Sequence, residues 1–583
     1  MNEEHGSPHW IDSLNPQSLH TTTMHRSSFL KYLGCAAVTP MVLTACDLTG
    51  GNEDDDSKQN LRVDRIADLR SLSPDAGRDV VVRGYKTPND GGGGIFNWDP
   101  SGRATNADGG TTITSTVSGY GEGGADEGLW RRLTDGGPYN ARWFGATADG
   151  TDDQLAIQSA LDAVPTGGVV FIPTGTYVIG DTIEISSGTT LRGDGFGTLL
   201  KRKAETNLTG YDVEEIKFGT HQIHPLVTTR QGDGGTEEVV IRGLQIQGNT
   251  SSTSGPRTEA GIWVNDASNT RIVDCKVEDF RDDLSQSAIN DFYRAFCVCV
   301  TDSTRTTIQG GIYNTAGYEV IGVRGGSKRT RIRGIVSTNV GNANSRHTIQ
   351  ASDFPAPVDT VVSGCTLDGD KSRVIADNAV DFVVTRCMIR NEESSPVEVL
   401  TRGGSDATDT EGTTTENVVI DGNELRALSG IGIKVRSLDQ GEVVTGKDLT
   451  ISDNLIESAG QGLLLTDIEN ASITGNQIDS LEANGIRVRD DISSATRRVV
   501  IANNIIRSND TSNANGEGAG VSIGTARRID VRGIHLSYGR IGVLVEGGAD
   551  SCLIANNDLV DAAEEGLRID ENATNITRRN NRT

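Results

Sequence analysis

The sequence predicts an all-β protein: a right-handed parallel β-helix of about 12–13 coils, with an N-terminal capping helix and a small β-rich head before it. The first observation is an asparagine that recurs at the same internal position of five short aliphatic segments: Asn423, Asn454, Asn476, Asn504 and Asn557. The second is the spacing, because extending the register at intervals of about 22 to 36 residues adds seven more positions: Leu244, Cys275, Gly311, Ile335, Cys365, Cys387 and Ile534. The third is composition, since 71 glycines and 4% aromatic residues suit short strands joined by turns.

Stacked coils explain why one column would hold asparagine. Parallel stacking places equivalent residues about 4.8 Å apart, and side-chain amides can both donate and accept hydrogen bonds along such a stack. Asparagine also tolerates the left-handed backbone conformation of a tight turn. The column therefore predicts a ladder of asparagines at one corner of the helix.

The first 60 residues are predicted to lie before the folded part. Arg26 and Lys31 flank the start of an apolar stretch that ends in Leu43-Thr44-Ala45-Cys46, and this ending resembles a bacterial lipobox. Residues 1–46 are therefore interpreted as an extension with a lipoprotein-type export signal, although an incidental apolar stretch is the alternative. The signal implies lipidation of Cys46, an extracytoplasmic location, and membrane contact only through that anchor. Residues 47–60 are predicted to form an acidic linker.

The net charge of −26 argues against general binding of nucleic acids or anionic membranes. Cys365 and Cys387 fall in the asparagine column in adjacent coils, a separation that suits either a disulfide or two buried thiols. The cysteine spacing contains no CxxC pair, so no metal site is predicted.

Residues 61–140 are predicted to form the small β-rich head, with a helix over Leu61–Leu72, and residues 141–583 the β-helix. A second helix is expected over Gln154–Val164, with Thr151 or Asp152 capping its N-terminus and an apolar face of Leu155, Ala156, Ala160 and Leu161. The end of a solenoid exposes an unpaired rung. This helix is therefore expected to close the N-terminal end.

Motifs around this junction resemble a known family. They are Tyr85–Asp90, Leu129–Arg132, Arg142–Ala146, Asp149–Asp153, Gly167–Pro173, Gly175–Tyr177 and Leu191–Gly195. The first two resemble the head that precedes many β-helices of the pectate lyase superfamily. The others resemble the start of a rhamnogalacturonase/epimerase-like pectate lyase domain. The resemblance covers about residues 85–200 with specific motifs and implies the fold. It leaves the reaction open, because such helices serve hydrolases, lyases, epimerases and phage tailspikes, and no matched residue carries a catalytic role.

The strands that follow the column predict a face for a ligand. Each ends in an aspartate, at Asp266, Asp302, Asp353, Asp467 and Asp490, which we interpret as turn residues. Their outward positions carry a basic row on an acidic chain: Arg324, Arg346, Arg402, Lys434, Arg436 and Arg487. A solvated charged face would explain this row. The alternative is a groove for an anionic polysaccharide, since guanidinium groups bind carboxylates with two hydrogen bonds.

The candidate catalytic residues within this row are Glu319, His347, Asp353 and Asp377. Two carboxyl groups about 5–9.5 Å apart would support glycoside hydrolysis. Elimination would instead need a base such as His347 or Arg346, with Ca²⁺ possible as a cofactor. The sequence slightly favours an exported hydrolase over a lyase, with no required cofactor. A non-catalytic carbohydrate-binding or adhesin-like protein is the alternative, and the oligomeric state is open.

Overall fold

The computed structural model describes most of the chain after residue 60. The described ranges are 61–74, 79–120, 128–204, 206–212, 222–232, 234–249, 258–280, 295–338, 347–352, 355–402, 414–438, 446–458, 460–480, 483–491, 496–508 and 518–583. They all belong to one compact unit, Gln59–Thr583. The predicted export signal with Cys46, and the predicted site residues Arg346 and Asp353, lie outside the described residues.

The head is a five-stranded sheet, in the order Leu61–Val63, Asp79–Val82, Gly94–Asp99, Leu129–Arg132 and Thr112–Thr114. The first pair is parallel and the others are antiparallel. The helix predicted over Leu61–Leu72 is shorter than expected, because Leu61–Val63 pairs as a strand and α1 covers only Ile66–Arg70. The head has its own core, in which Phe96, Trp98 and Trp130 are buried.

Three stacks of parallel strands follow, and most coils contribute one strand to each stack. The first sheet contains 16 strands. They are Tyr139–Asn140, Val169–Phe171, Thr190–Arg192, Val240–Arg242, Arg271–Val273, Thr307–Gln309, Arg331–Arg333, Val358–Ser363, Val380–Thr385, Glu416–Asp421, Gly446–Ser452, Ile468–Thr474, Arg497–Ala502, Arg527–Arg532, Leu553–Ala555 and Thr577–Arg579.

The second sheet comprises Gly175–Ile179, Thr198–Arg202, Gln245–Gln247, Lys276–Phe280, Ile312–Ala316, Val336–Thr338, Thr366–Asp368, Met388–Asn391, Glu424–Ala427, Leu455–Ser458, Gln477–Ser480, Ile505–Ser508 and the start of His535–Val545. The third sheet comprises Ile183–Ile185, Gln222–Thr229, Thr258–Asn265, Ala295–Thr301, Glu319–Arg324, His347–Ser352, Val374–Asp377, Val397–Arg402, Ile433–Leu438, Leu463–Thr466, Ile486–Arg489, Ala519–Ile523, the end of His535–Val545 and Ala562–Ile569. We number the coils 1 to 14 by these third-sheet strands.

Smaller elements complete the described part of the chain. Tyr211–Asp212 pairs antiparallel with Gln222–Thr229, and Thr236–Glu237 pairs with Ala267–Ser268. The 3-10 helices are Ala104–Asn106, Ala141–Phe144 and Gly195–Gly197. No helix among the described residues has both the length and the apolar character needed to cross a lipid bilayer.

The predicted asparagine ladder is confirmed at the corner between the first and second sheets. The amide Nδ2 of Asn423 donates to Oδ1 of Asn454 at 2.9 Å, and the same bond links Asn454 to Asn476 at 2.9 Å and Asn476 to Asn504 at 3.0 Å. These four side chains are buried. The next member of the column is Ile534, so the chain of amides stops there and resumes at Asn557.

The left-handed turn lies one residue earlier than the column. The residues with positive φ at this corner immediately precede the column members, for example Gly422 (63°), Asp453 (52°) and Asn503 (56°). The asparagines of the column therefore contribute their side-chain amides, whereas the residue before each of them adopts the left-handed backbone conformation. Cys365 and Cys387 are buried free thiols, so the disulfide alternative is wrong.

The N-terminal end is closed as predicted, by α2 over Gln154–Ala163. The amide of Gln158 accepts from the backbone N–H of Glu184 at 2.9 Å and donates to its carbonyl at 3.1 Å, so it pairs with the open edge of coil 1 as a strand would. Asp152 accepts the N–H of Gln154 at 3.1 Å. Leu155, assigned to the apolar face from the sequence, is 78% exposed, and Ile157 takes its place in the core.

A buried arginine joins the head to the coils. The guanidinium of Arg132 lies between the rings of Phe96 and Trp143, 4.6 and 4.8 Å from their centroids. It donates to three backbone carbonyls of the head. Burial lowers the pKa of Arg132 to about 10, with Asp108 opposing the shift. The joint is therefore packed rather than a free linker.

Candidate functional site

The outer face of the third sheet presents two columns of side chains, because inward and outward residues alternate along a strand. In coil 8, Val397 and Val399 point into the core and Glu398 points outward. The register continues this pattern, with Ile375, Glu398, Lys434, Leu464, Arg487 and Ser522 aligned in consecutive coils. Residues that are far apart in the sequence thus lie side by side on this outer face, which we call the wall.

Coil 5 contributes an ion pair that is closed to solvent. Arg324 Nη2 contacts Glu319 Oε1, and the two side chains are 1% and 0% exposed. The guanidinium also donates to Ser352 at 3.0 Å and lies 5.4 Å from the ring centroid of Phe296. Gly322 lies between the two charges, where a Cβ would come within 2.7 Å of Glu319 Oε2. The absence of a side chain lets the carboxylate lie flat along the sheet.

Coils 6 to 9 hold a continuous hydrogen-bonded chain of four residues. Arg373 Nε donates to His347 Nδ1 at 2.6 Å, and Arg373 Nη1 donates to Glu398 Oε2 at 3.2 Å. Arg436 Nε donates to the other oxygen of Glu398 at 2.9 Å. Because a guanidinium group only donates hydrogen bonds, Nδ1 of His347 is the acceptor of this bond. Arg373 Nη2 also lies 3.5 Å from Nε2 of the same ring, so the arginine faces both ring nitrogens.

Asp377 and Arg402 form a second pair on the same wall. Arg402 Nη2 lies 2.8 Å from Asp377 Oδ2, and the side chains are 35% and 6% exposed. Gln350 donates to the same carboxylate oxygen at 3.3 Å. Asp377 and Glu398 lie on adjacent strands, offset by two residues, which puts their Cα atoms about 8 Å apart.

Lys434 differs from the other cations of the wall in its lowered pKa. Burial lowers the pKa of Lys434, Arg436 and Arg373 lower it further by repulsion, and Glu398 opposes them. Within the part of the chain that the structure describes, its amine forms no hydrogen bond or ion pair. A lysine in this setting is neutral at lower pH than an exposed one.

Coil 10 interrupts the charges, and coil 11 restores them. Leu464 faces outward in coil 10. In coil 11, Arg487 Nη2 lies 3.5 Å from Glu546 Oε1, and Arg489 Nη2 lies 3.5 Å from Asp491. Among the residues described, no group of three or more His, Cys, Asp or Glu side chains is arranged to hold a metal ion.

The structure brings most predicted site residues together. His347, Asp377, Arg402, Lys434 and Arg436 lie on adjacent coils, with Arg487 two coils further. Glu319 and Arg324 are on the same wall but buried against each other. The strand-end residues Asp266, Asp302 and Asp467 have φ of 43°, 47° and 53°, which fits their interpretation as turn residues.

Sequence reasoning missed Arg373, the residue that links His347 to Glu398. It lies immediately before the strand Val374–Asp377, one place outside the alternation that located the other cations. A search for an arginine just before a third-sheet strand, in the coil that follows His347, would have found it.

The arrangement places carboxylates beneath guanidinium groups. Glu398 and Asp377 are 5% and 6% exposed, whereas Arg436 and Arg402 are both 35% exposed. A guanidinium partner stabilises the ionised form of a carboxyl group. The wall therefore presents guanidinium groups to solvent above buried carboxylates, which suits binding of an anion.

Three family descriptions match parts of the chain. Residues 139–366 match "Rhamnogalacturonase A/epimerase, pectate lyase-like", and residues 461–583 match "Right handed beta helix region". Residues 62–135, the head, match "Phage tail protein small four-stranded beta-sheet domain".

Individual relatives match short segments. Mannuronan C5-epimerase AlgE3 of Azotobacter vinelandii is 32% identical over 126 residues, which is 21% of this chain and 6% of the relative. The tail spike protein of Shigella phage Sf6 is 43% identical over 75 residues, 12% of each chain. The solved A-module of Azotobacter vinelandii mannuronan C-5 epimerase AlgE6 covers 76% of this chain and 99% of its own at 17% identity, with a TM-score of 0.41. The chain thus spans only 6% and 12% of the two relatives' lengths.

The motif resemblance and the parallel stacks agree with the family matches. Residues 139–366 form a pectate lyase-like domain of the rhamnogalacturonase A/epimerase type, within a right-handed parallel β-helix.

Proposed function

We propose that this protein binds an acidic polysaccharide along the outer face of the third sheet, over coils 6 to 11, and acts on its uronate sugars. The observation that carries the proposal is a row of partly exposed cations, in which three arginines pair with the buried carboxylates of Asp377 and Glu398. The row comprises Arg373, Arg402, Lys434, Arg436, Arg487 and Arg489. Guanidinium groups held by a carboxylate beneath them are oriented for a second carboxylate from the ligand. The relatives named mannuronan C5-epimerases are consistent with such a substrate.

The wall favours abstraction of the proton at C5 of a uronate over hydrolysis, which the sequence had slightly favoured. Hydrolysis needs one carboxyl group that is protonated, whereas Asp377 and Glu398 are each paired with arginine. Proton abstraction next to a carboxylate needs a base and neighbouring positive charge. Lys434, with its lowered pKa and its neighbour Arg436, meets both needs. Elimination and epimerisation share this first step.

Turnover of defined polyuronates tests the reaction. The full chain is incubated with polygalacturonate, polymannuronate and hyaluronan, with neutral dextran as the control polymer and with a calcium chelator in a parallel series. Unsaturated chain ends indicate elimination, and altered uronate configuration by NMR without cleavage indicates epimerisation. Reducing ends without unsaturation would contradict proton abstraction in favour of hydrolysis.

A matched pair of variants locates the activity. Lys434→Gln removes the proposed base, and Arg426→Gln removes an exposed cation that pairs with Glu457 on the second sheet. We expect the first to abolish turnover and the second to leave it unchanged. Equal loss in both would mean that the third sheet is not the site.

A non-catalytic carbohydrate-binding protein is the second candidate. It is favoured by the complete pairing of Asp377 and Glu398 with arginine, which a purely binding surface also requires. Binding to a polyuronate without any of the three products, and lost in Lys434→Gln, would support this candidate against the enzyme. Absence of both binding and turnover would reject the polysaccharide proposal as a whole.

We also propose that the protein is exported and anchored through lipid on Cys46, as its lipobox-like sequence indicates. Fractionation of cells that express the wild type and Cys46→Ala tests this. Membrane association of the wild type and its loss in the variant are expected.

A further inference from the structure

A groove with arginines at one end lies on the outer face of the first sheet, which is a different face from the wall. The groove has a volume of about 390 Å³ and crosses four consecutive strands, Glu416–Asp421, Gly446–Ser452, Ile468–Thr474 and Arg497–Ala502. Its polar lining comprises Asn417, Asp448, Thr450, Asn470, Ser472 and Arg498. Amides, hydroxyls and a carboxylate side by side are groups that bind the hydroxyls of a sugar.

The backbone explains why the polar side chains form a row. Asn417, Asp448, Asn470 and Arg498 have φ of 54°, 56°, 61° and 58°, and Arg528 on the next strand has φ of 56°. A left-handed residue interrupts the alternation of a strand, so both it and the residue before it lie outside the core. The residue after it is buried in all five strands. Because neighbouring strands are about 4.8 Å apart, the result is a ladder of polar groups along the groove.

The last two positions of this row carry arginine, although the left-handed conformation is unfavourable for it. Asparagine and aspartate tolerate that conformation better, and they occupy it in the three preceding strands. Arg498 and Arg528 each follow another arginine, Arg497 and Arg527, and these two are in register on adjacent strands. Four guanidinium groups therefore extend from two neighbouring rungs of a chain whose net charge is −26.

The protein neutralises only part of this arginine cluster. Glu469 is 13% exposed and pairs with Arg497 at 2.8 Å and with Arg498. Arg498 Nε also donates to Asn470 Oδ1 at 2.5 Å, which holds the guanidinium at the end of the groove. Within the part of the chain that the structure describes, the exposed side chains of Arg527 and Arg528 form no hydrogen bond or ion pair.

Two further carboxylates on these rungs have partners of their own. Asp530 is 27% exposed and lies 3.7 Å from Arg532. Asp550, which bridges to Arg527 through the backbone, accepts from the side chains of Thr574, Asn575 and Ser551. Guanidinium donors of the cluster are therefore available to an anion from solution.

We propose that the groove and the four arginines form a second binding site, for a sugar that carries a phosphate monoester. The phosphate lies between the rungs of Arg498 and Arg528, and the sugar lies over Asn470 and Asp448. A phosphate monoester carries a charge of about −1.5 to −2 at pH 7 and accepts paired hydrogen bonds from guanidinium groups. It therefore matches a compact cluster of arginines better than a single carboxylate does. The site does not depend on the proposed function, because no residue of the wall takes part.

Calorimetric titration of the full chain tests the site with glucose 1-phosphate, inorganic phosphate and glucose. We expect glucose 1-phosphate to bind and inorganic phosphate to bind about tenfold more weakly, because it makes no contact in the groove. Glucose alone should not bind. Phosphatidylcholine vesicles with and without lipid A, whose headgroup is a phosphorylated sugar, distinguish the source of the ligand. Retention by the lipid A vesicles without binding of glucose 1-phosphate would assign the site to a lipid headgroup.

Single substitutions locate the contacts. Arg498→Gln and Arg528→Gln should each weaken binding of both phosphate probes by about tenfold. Arg528→Gln removes no side-chain contact of the described residues, so its fold should be intact. Thr450→Val should weaken binding of glucose 1-phosphate and leave that of inorganic phosphate unchanged. Arg329→Gln is the matched control, because Arg329 is exposed with φ of 59° at the same corner but lies outside the groove.

Equal weakening by Arg329→Gln and Arg528→Gln would show a response to overall charge and would overturn the site. Equal affinity for inorganic phosphate and glucose 1-phosphate would overturn the assignment of the groove to a sugar. Absence of binding by every probe, the lipid A vesicles included, would overturn the whole proposal. Polyuronate binding should be unchanged in Arg528→Gln, so failure of this site is distinguishable from failure of the proposed function.

Discussion

Glu398 and Arg436 lie on neighbouring coils, and both Nε and Nη2 of the arginine are 2.9 Å from the same carboxylate oxygen, Oε1. The other oxygen of Glu398 accepts from Arg373 at 3.2 Å. One buried carboxylate thus orients two guanidinium groups from the coils on either side of it. The exposed charge of the wall depends on an acid that solvent barely reaches.

Glu398→Gln should weaken polyanion binding although it removes a negative charge. The amide keeps the volume of the side chain but no longer fixes Arg373 and Arg436, so their ordering must be supplied by the ligand. We expect a loss of about 1–3 kcal/mol in the free energy of unfolding, measured by urea denaturation, and weaker binding in a parallel titration.

The control for this change is Asp381→Asn on the first sheet, where the exposed Asp381 accepts from Asn417 at 2.9 Å. Its effect on unfolding should stay below about 0.5 kcal/mol. Unchanged or tighter polyanion binding by Glu398→Gln would show that the carboxylate does not position the arginines.

The turnover rate should rise with pH and level off at a pH below the ordinary lysine pKa of about 10.4. Only the neutral amine of Lys434 can accept a proton, and its pKa is lowered, so the neutral fraction grows as pH approaches that lowered value and then saturates. Lys434→Arg stays protonated throughout and should lose about 10²–10⁴ in rate, together with the pH dependence. A rate that falls over the same pH interval in the wild type would exclude Lys434 as the base.

Gly322→Ala should destabilise the protein by about 1–3 kcal/mol. A Cβ at this position would meet Glu319 Oε2 at 2.7 Å and the Phe296 ring at 2.9 Å, in a region where neither neighbour has space to move. Gly326→Ala, where the nearest atom is an Asp302 carboxylate oxygen at 3.2 Å, should cost less. Thermal or urea unfolding of the two variants measures the difference, and equal losses would mean that the Glu319–Arg324 pair accommodates a side chain between its members.

Asn454→Ala should cost about 2–4 kcal/mol. Its Oδ1 accepts from both the backbone and side-chain nitrogens of Asn423, and its Nδ2 donates to Ile420 and Asn476. All these groups are buried and would lose a partner. Asn572→Ala, in an exposed turn, is the control and should cost less than about 0.5 kcal/mol. Similar losses in both would indicate that the ladder adds little to stability.

The coil register was predictable from the sequence at every position of the column. In each coil the backbone carbonyl of the column member accepts from the first residue of the next second-sheet strand, as Cys387 does from Glu424 at 2.9 Å and Asn423 from Leu455 at 2.8 Å. This succeeds because a one-residue slip would turn the buried face outward. The sequence placed the left-handed conformation on the column itself, one residue too late. No single residue type marks the position that adopts it, because Gly, Asp, Asn and Arg all occur there.

The site was predictable as a wall but not as a set of contacts. Alternation along strands identified Lys434, Arg436 and Asp377, since outward positions follow from the inward ones. It could not show that Glu319 and Arg324 neutralise each other, because that pairing spans five residues of one strand across Gly322. Nor could it find Arg373, which lies just before its strand. Pairing among charged side chains is decided by three-dimensional distance and is not encoded in periodicity.

The break in the asparagine ladder at Ile534 has a mechanical consequence. Each rung of a solenoid contacts only its neighbours, so a pulling force applied at Thr583 would be carried from coil to coil in series. The joint between coils 12 and 13 lacks the amide link that Asn476 makes to Asn504. The terminal coils from Ile534 onward are therefore the segment that would peel away first under load, and the cationic wall of coils 6 to 11 would remain folded behind that seam.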